Sequence, residues 1–152
     1  MRSMRTVALA AVTVLASHAA MAEEHIIRAV VDHWEPVVTY AKPGDTIKFL
    51  NMLGHDTETL DGMLPDGGVK WKAPLGKEGF GFTLDKPGAY MYKCNPHMSM
   101  GMVGVVVIGD GVPANLDAIE KNLDSVKFGK NMVARALRKF KEDLVKTGRL
   151  KQ

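Results

Sequence analysis

The stretch YKCNPHMSMGM, residues 92–102, holds the chain's one cysteine, a histidine three positions on, and three methionines within the next five. Thiolate, imidazole and thioether are soft or borderline donors, of the kind copper takes. Cys94 and His97 flank Asn95-Pro96, and proline's fixed φ leaves that turn few conformations. Two such donors on one short loop can turn back onto a single ion. AYMYKC (89–94) leads into the loop and the apolar run MVGVVVIGD (102–110) leaves it. Both read as strands, the first with Tyr90 and Tyr92 on one face and Met91 and Lys93 on the other.

The strand pattern extends upstream. HIIRAVV (25–31) and VVTYAK (37–42) are short β-branched runs, followed by the turn KPGD (42–45) and TIKFL (46–50). GFGFTL (79–84) and AYMYKC are two strands joined by the tight connection DKPG (85–88). Strands at this spacing predict an antiparallel sandwich or barrel. After Pro113 the periodicity changes to helical. LDAIEKNL (116–123) is followed by KNMVARALRKFKEDLVK (130–146), where Val133, Leu137, Phe140 and Leu144 share a face and Gly148 ends the run. The chain is therefore read as mainly β, a sandwich over residues 23–112, with one or two C-terminal α-helices in residues 113–152 laid against it.

Residues 1–22 stand apart. Arg2 and Arg5 precede an apolar run, Thr6–Ala16, and Ala20-Met21-Ala22 fits a small-residue cleavage site. This is the pattern of an export signal, too short to span a bilayer comfortably. It predicts a mature chain starting at Glu23, located in a bacterial periplasm, without stable membrane insertion. One cysteine excludes an internal disulfide framework. Residues 127–152 carry nine basic and two acidic side chains, against eight and twelve in residues 23–112. In an exported chain with few aromatics in that tail, the charge reads as a solvated helix face and not as a nucleic-acid site.

A copper site of the trigonal kind needs a second imidazole and a weak axial thioether. Of the five histidines, His18 lies in the leader, and His25 and His33 have no soft partner nearby. His55, in LGHDTETL directly after TIKFL, is the remaining candidate. On the residues alone, Met98 adjoins His97 and cannot easily reach back to the same ion, which leaves Met100 and Met102 open as the axial donor.

At this point a family resemblance enters. KPGDT (42–46), GHDTET (54–59), GMLPDG (62–67) and YKCNPHMSMGMVGVV together resemble the cupredoxins, and most closely the pseudoazurins, over roughly Trp34–Asn115. The resemblance implies a cupredoxin-like antiparallel or mixed β-sandwich with C-terminal helices. It implies one type 1 copper per chain, held by His55, Cys94, His97 and Met102. Met100, at the shorter His-x2-Met spacing of other cupredoxins, is the alternative axial donor. It also implies a monomeric blue copper electron-transfer protein, not an enzyme. Such a protein shuttles one electron between periplasmic redox enzymes or cytochromes, a nitrite reductase among them. Docking is expected through an exposed Met98–Met100 patch with Lys72 and Lys93, joined by Lys70 and Lys77. Relatives usually carry Asn after the first histidine ligand and Thr or Ser after the cysteine; here Asp56 and Asn95 imply the same tie with its partners exchanged.

Two other functions draw on the same residues. A copper chaperone or storage protein draws on the ten methionines. A cysteine hydrolase fails, because its Cys and His come from well-separated segments.

Overall fold

The computed structural model describes residues 21–151; the leader, apart from Met21 and Ala22, lies outside the described residues. Among the described residues, nine strands form two sheets. They are β1 (Glu24–Val30), β2 (His33–Glu35), β3 (Val38–Ala41), β4 (Thr46–Leu50), β5 (Thr57–Thr59), β6 (Lys72–Ala73), β7 (Phe80–Thr83), β8 (Gly88–Lys93) and β9 (Val103–Ile108). One sheet runs β2-β1-β4-β7 and the other β3-β9-β8-β5-β6. β1 pairs with β4, and β3 with β9, in parallel; the other pairs are antiparallel. The sandwich is thus mixed, one of the two forms the resemblance implies.

The alternation in β8 sorts two cores. Tyr90 and Tyr92 point between the sheets, where they join Ile27, Trp34, Ile47 and Phe49. Ala89 and Met91 point outward, onto a second core with Val105, Val107, Ile119 and Phe140. β9 is buried along all six residues because it faces the opposite sheet on one side and the helices on the other. That is why its sequence is continuously apolar rather than alternating.

Two helices supply the outer layer, α1 (Leu116–Asn122) and α2 (Lys130–Lys146). α2 buries Val133, Leu137, Phe140 and Leu144, the stripe read from the sequence. Gly148 adopts φ +71° just past its end, the left-handed conformation that stops a helix and that glycine takes without strain. The tight connection after β7 does not make a hairpin. It carries the chain across from the four-stranded to the five-stranded sheet, because Tyr90 and Tyr92 must face back towards Phe49. No described helix is long and apolar enough to cross a membrane.

Candidate metal centre

Antiparallel pairing of β8 with β9, Lys93 opposite Val103, holds both ends of the loop that carries Cys94 and His97. The loop closes on itself. Cys94 N–H donates to the Met102 carbonyl at 3.0 Å, Met102 N–H to the His97 carbonyl at 3.2 Å, and Met100 N–H to the same carbonyl at 3.1 Å. A single 3-10 turn, Met98–Met100, fills the interior, and Gly101 at φ +90° permits the reversal.

His55 arrives from the other side, between β4 and β5. Its loop is fixed by Glu78, whose carboxylate accepts the Asn51 N–H at 3.0 Å and the Met52 N–H at 2.8 Å. Gly76 N–H donates to the His55 carbonyl at 2.8 Å. No local sequence pattern marked Glu78, because its partners lie 26 and 27 residues away.

These supports bring three donors together. Cys94 Sγ lies 3.7 Å from His55 Nδ1 and 3.4 Å from His97 Nδ1. The ligand atoms of the three residues lie within 4.8 Å of one another. Bonds of about 2.0–2.3 Å to nitrogen and sulfur would let one ion reach all three. His25 and His33 stay outside this group. His25 instead clusters with Glu23 and Asp45 near the start of β1.

Burial sets the protonation of the donors. It pushes the Cys94 thiol up, and it pushes His55 down, helped by the neighbouring His97. A neutral imidazole is the form that binds metal, whereas the thiol needs a cation beside it to lose its proton. Two imidazoles, one thiolate and a nearby thioether make a soft set that fits copper. His55 is 7% exposed, while His97 reaches partly into solvent.

The methionines separate by environment. Met102 is fully buried and packs in the same core as Cys94. Met100 is 50% exposed. Met98 corrects the expectation of an exposed Met98–Met100 rim. It is 1% exposed and belongs to the outer core, against Gly129 at the start of α2. The 3-10 turn aims it inward and leaves Met100 alone outside. Of the expected lysines, Lys72 and Lys93 lie on β6 and β8 and Lys70 and Lys77 in the loops beside them, and two have acidic partners. Lys72 pairs with Glu58 at 3.3 Å and Lys70 with Asp61 at 2.7 Å.

Residues 31–109 match the family model described as copper binding proteins of the plastocyanin/azurin family. The chain belongs to that family. This cupredoxin is 47% identical to the pseudoazurin of Methylorubrum extorquens over 78 residues, which cover 51% of the chain and 52% of the relative. It is 42% identical to the pseudoazurin of Paracoccus pantotrophus over 86 residues, covering 56% and 58%. The chain therefore spans a little over half the length of these relatives. The crystal structure of pseudoazurin from Methylobacterium extorquens AM1 superposes with a TM-score of 0.64 at 34% identity, covering 78% of this chain and 99% of that one. Copper is the metal that family membership and donor chemistry jointly indicate.

Proposed function

We propose that this cupredoxin is a periplasmic blue copper electron carrier, holding one type 1 copper through His55, Cys94, His97 and Met102. The observation that carries the reading is Cys94 Sγ lying 3.4 and 3.7 Å from two imidazole nitrogens on separately anchored loops. Copper so held supplies a one-electron couple between its Cu(I) and Cu(II) states. Cys94 and Met102 close the site from the core side, and both are fully buried. His55 is held by its own backbone bonds, so neither loop has to rearrange for the charge to change. His97, the more exposed imidazole, offers the route out. It is flanked by the exposed Met100, with Lys93 and the Glu58-paired Lys72 as the basic groups that would meet an acidic partner. Those partners are other redox proteins of the periplasm, enzymes or cytochromes, with a nitrite reductase among the candidates. The protein itself acts as a monomeric carrier and catalyses no reaction.

Export follows from the leader. Residues 1–22 are removed after Ala22, leaving the sandwich of residues 23–112 and the helical extension of residues 113–152. The storage reading finds less support. Met52, Met63, Met91, Met98 and Met102 are core residues, so they cannot form an exchangeable methionine surface.

Titrating the mature protein with Cu(II) tests the proposal. One equivalent should produce an intense thiolate charge-transfer band in the visible, absent from Cys94→Ser and weakened or distorted in His55→Ala. A Cys94→Ser protein that stays blue would refute the assignment. Met102→Leu should keep the colour and shift the potential; if Met100→Leu does so instead, the axial donor is Met100.

A further inference from the structure

A buried carboxylate meets the backbone where the leader is expected to end. Asp45 is 4% exposed and closes the KPGD turn ahead of β4. Its Oδ2 accepts the Lys42 N–H at 2.8 Å and lies 2.9 Å from His25 Nε2. Its Oδ1 accepts the Glu23 N–H at 2.9 Å. Glu23 is also held through its carbonyl, which accepts the Thr46 N–H at 2.8 Å. Met21 and Ala22, one step earlier, are exposed. The chain thus becomes anchored at residue 23, directly after Ala20-Met21-Ala22. The donors from Glu23, Lys42 and His25 hold the Asp45 carboxyl down at about 2, so it is ionised at any physiological pH.

We propose that cleavage after Ala22 converts the Glu23 nitrogen from a neutral amide into an α-ammonium seated on Asp45, an ion pair that latches the first strand of the mature protein. The proposal rests on the reading that residues 1–22 are an export leader. Hydrolysis of the Ala22–Glu23 bond adds one water: the carboxylate departs with Ala22, and the amine stays on Glu23 and takes up a proton. One donor to Asp45 becomes a charged group with three. Charge-assisted hydrogen bonds are roughly twice as strong as neutral ones. Glu23 and Asp45 both line a cleft that His25, Tyr40, Asp110 and Arg149 complete. Because β1 pairs in parallel with β4 from Glu24 opposite Thr46, the ion pair sits at the first rung of that ladder.

The test compares residues 23–152 starting at Glu23 with the same chain preceded by Gly-Ser, each also carrying Asp45→Asn. The Glu23 chain should melt about 3 °C above the extended one. In the Asp45→Asn pair that difference should fall below about 1 °C. Equal melting of the first pair, or a difference that survives Asp45→Asn, overturns the proposal. Should Asp45→Asn fail to fold, reductive methylation decides: the Glu23 α-amine must label more slowly than the amine of the Gly-Ser chain, and equal labelling overturns it. The processing reading is checked separately, by the mass of the protein exported from a bacterial host. A first residue other than Glu23 removes the latch's setting whatever the melting data show.

Discussion

Asn95 binds Asp56 twice, through its backbone N–H to Oδ1 at 2.6 Å and its side-chain amide to Oδ2 at 2.9 Å. The same amide also donates to Glu58 at 2.8 Å. Asp56 follows His55 and Asn95 follows Cys94, so this contact ties together the two loops that supply the donors. An amide side chain donates twice and a carboxylate only accepts, so the exchanged pair is chemically complete. It also sets a negative charge beside the site, which favours the higher oxidation state of a bound ion. A unit charge about 10 Å away, with an effective dielectric between 20 and 80, is worth about 0.4–1.7 kcal/mol. For a one-electron couple that is on the order of 20–70 mV. Asp56→Asn should therefore raise the reduction potential by tens of millivolts and keep the visible band. Cyclic voltammetry reads the shift, and a change of a few millivolts would mean that solvent screens the carboxylate.

Met98 and Met100 should respond oppositely to truncation. Met98→Ala leaves a cavity against Gly129 and should cost about 2–4 kcal/mol in chemical denaturation. Met100→Ala should stay within about 0.5 kcal/mol of the parent. Electron self-exchange, followed by NMR on mixed oxidised and reduced protein, should slow for Met100→Ala. If it stays unchanged, Met100 is no part of the contact face.

Gly104 is required by a ring. A Cβ there would overlap the Cζ and hydroxyl of Tyr92, which is fully buried among Trp34, Phe49 and Trp71. Gly104→Ala should cost about 1–3 kcal/mol, the usual range for overpacking. Gly104→Ala combined with Tyr92→Phe should recover part of that loss, because the hydroxyl has no hydrogen-bond partner to forfeit.

Tyr40 predicts an alkaline transition. Its hydroxyl donates to Asp143 at 2.5 Å, joining β3 to α2, and the Arg149 guanidinium sits 4.1 Å over its ring. Burial first, then the bond to Asp143, push its pKa up to about 12. A folded-state value above the unfolded one of about 10 gives stability that is whole below pH 10 and lost as pH rises through 12. Tyr40→Phe should thus be less stable by about 1 kcal/mol at pH 7. The gap should close between pH 10 and 12 in thermal melts, and a constant gap would assign the effect to packing.

Much of this architecture was legible because the decisive signals are local. TIKFL is β4 to the residue, and the stripe of α2 is the buried one. Cys94 and His97 declare themselves by spacing. What escaped depends on distant partners. Strands β5 and β6, of three and two residues, are too short and polar to show periodicity. Alternation in GFGFTL and AYMYKC gives the faces of each strand but not the sheet each joins. Met98 reads as surface until α2 covers it, and Glu78 has no pattern at all, only two amides waiting across the fold.

The seat of Met98 against Gly129 has a consequence for the order of events in the cell. Arg135 adds to it by donating to the Met100 carbonyl at 3.2 Å, so α2 braces the donor loop from behind. A ribosome makes Cys94, His97 and Met102 well before Gly129, Val133 and Arg135. Until α2 docks, Met98 and the turn that carries it lack their backing. The donor loop is thereby completed only when α2 docks, so a chain cut short before Gly129 would keep Cys94, His97 and Met102 yet lose the brace that sets their loop.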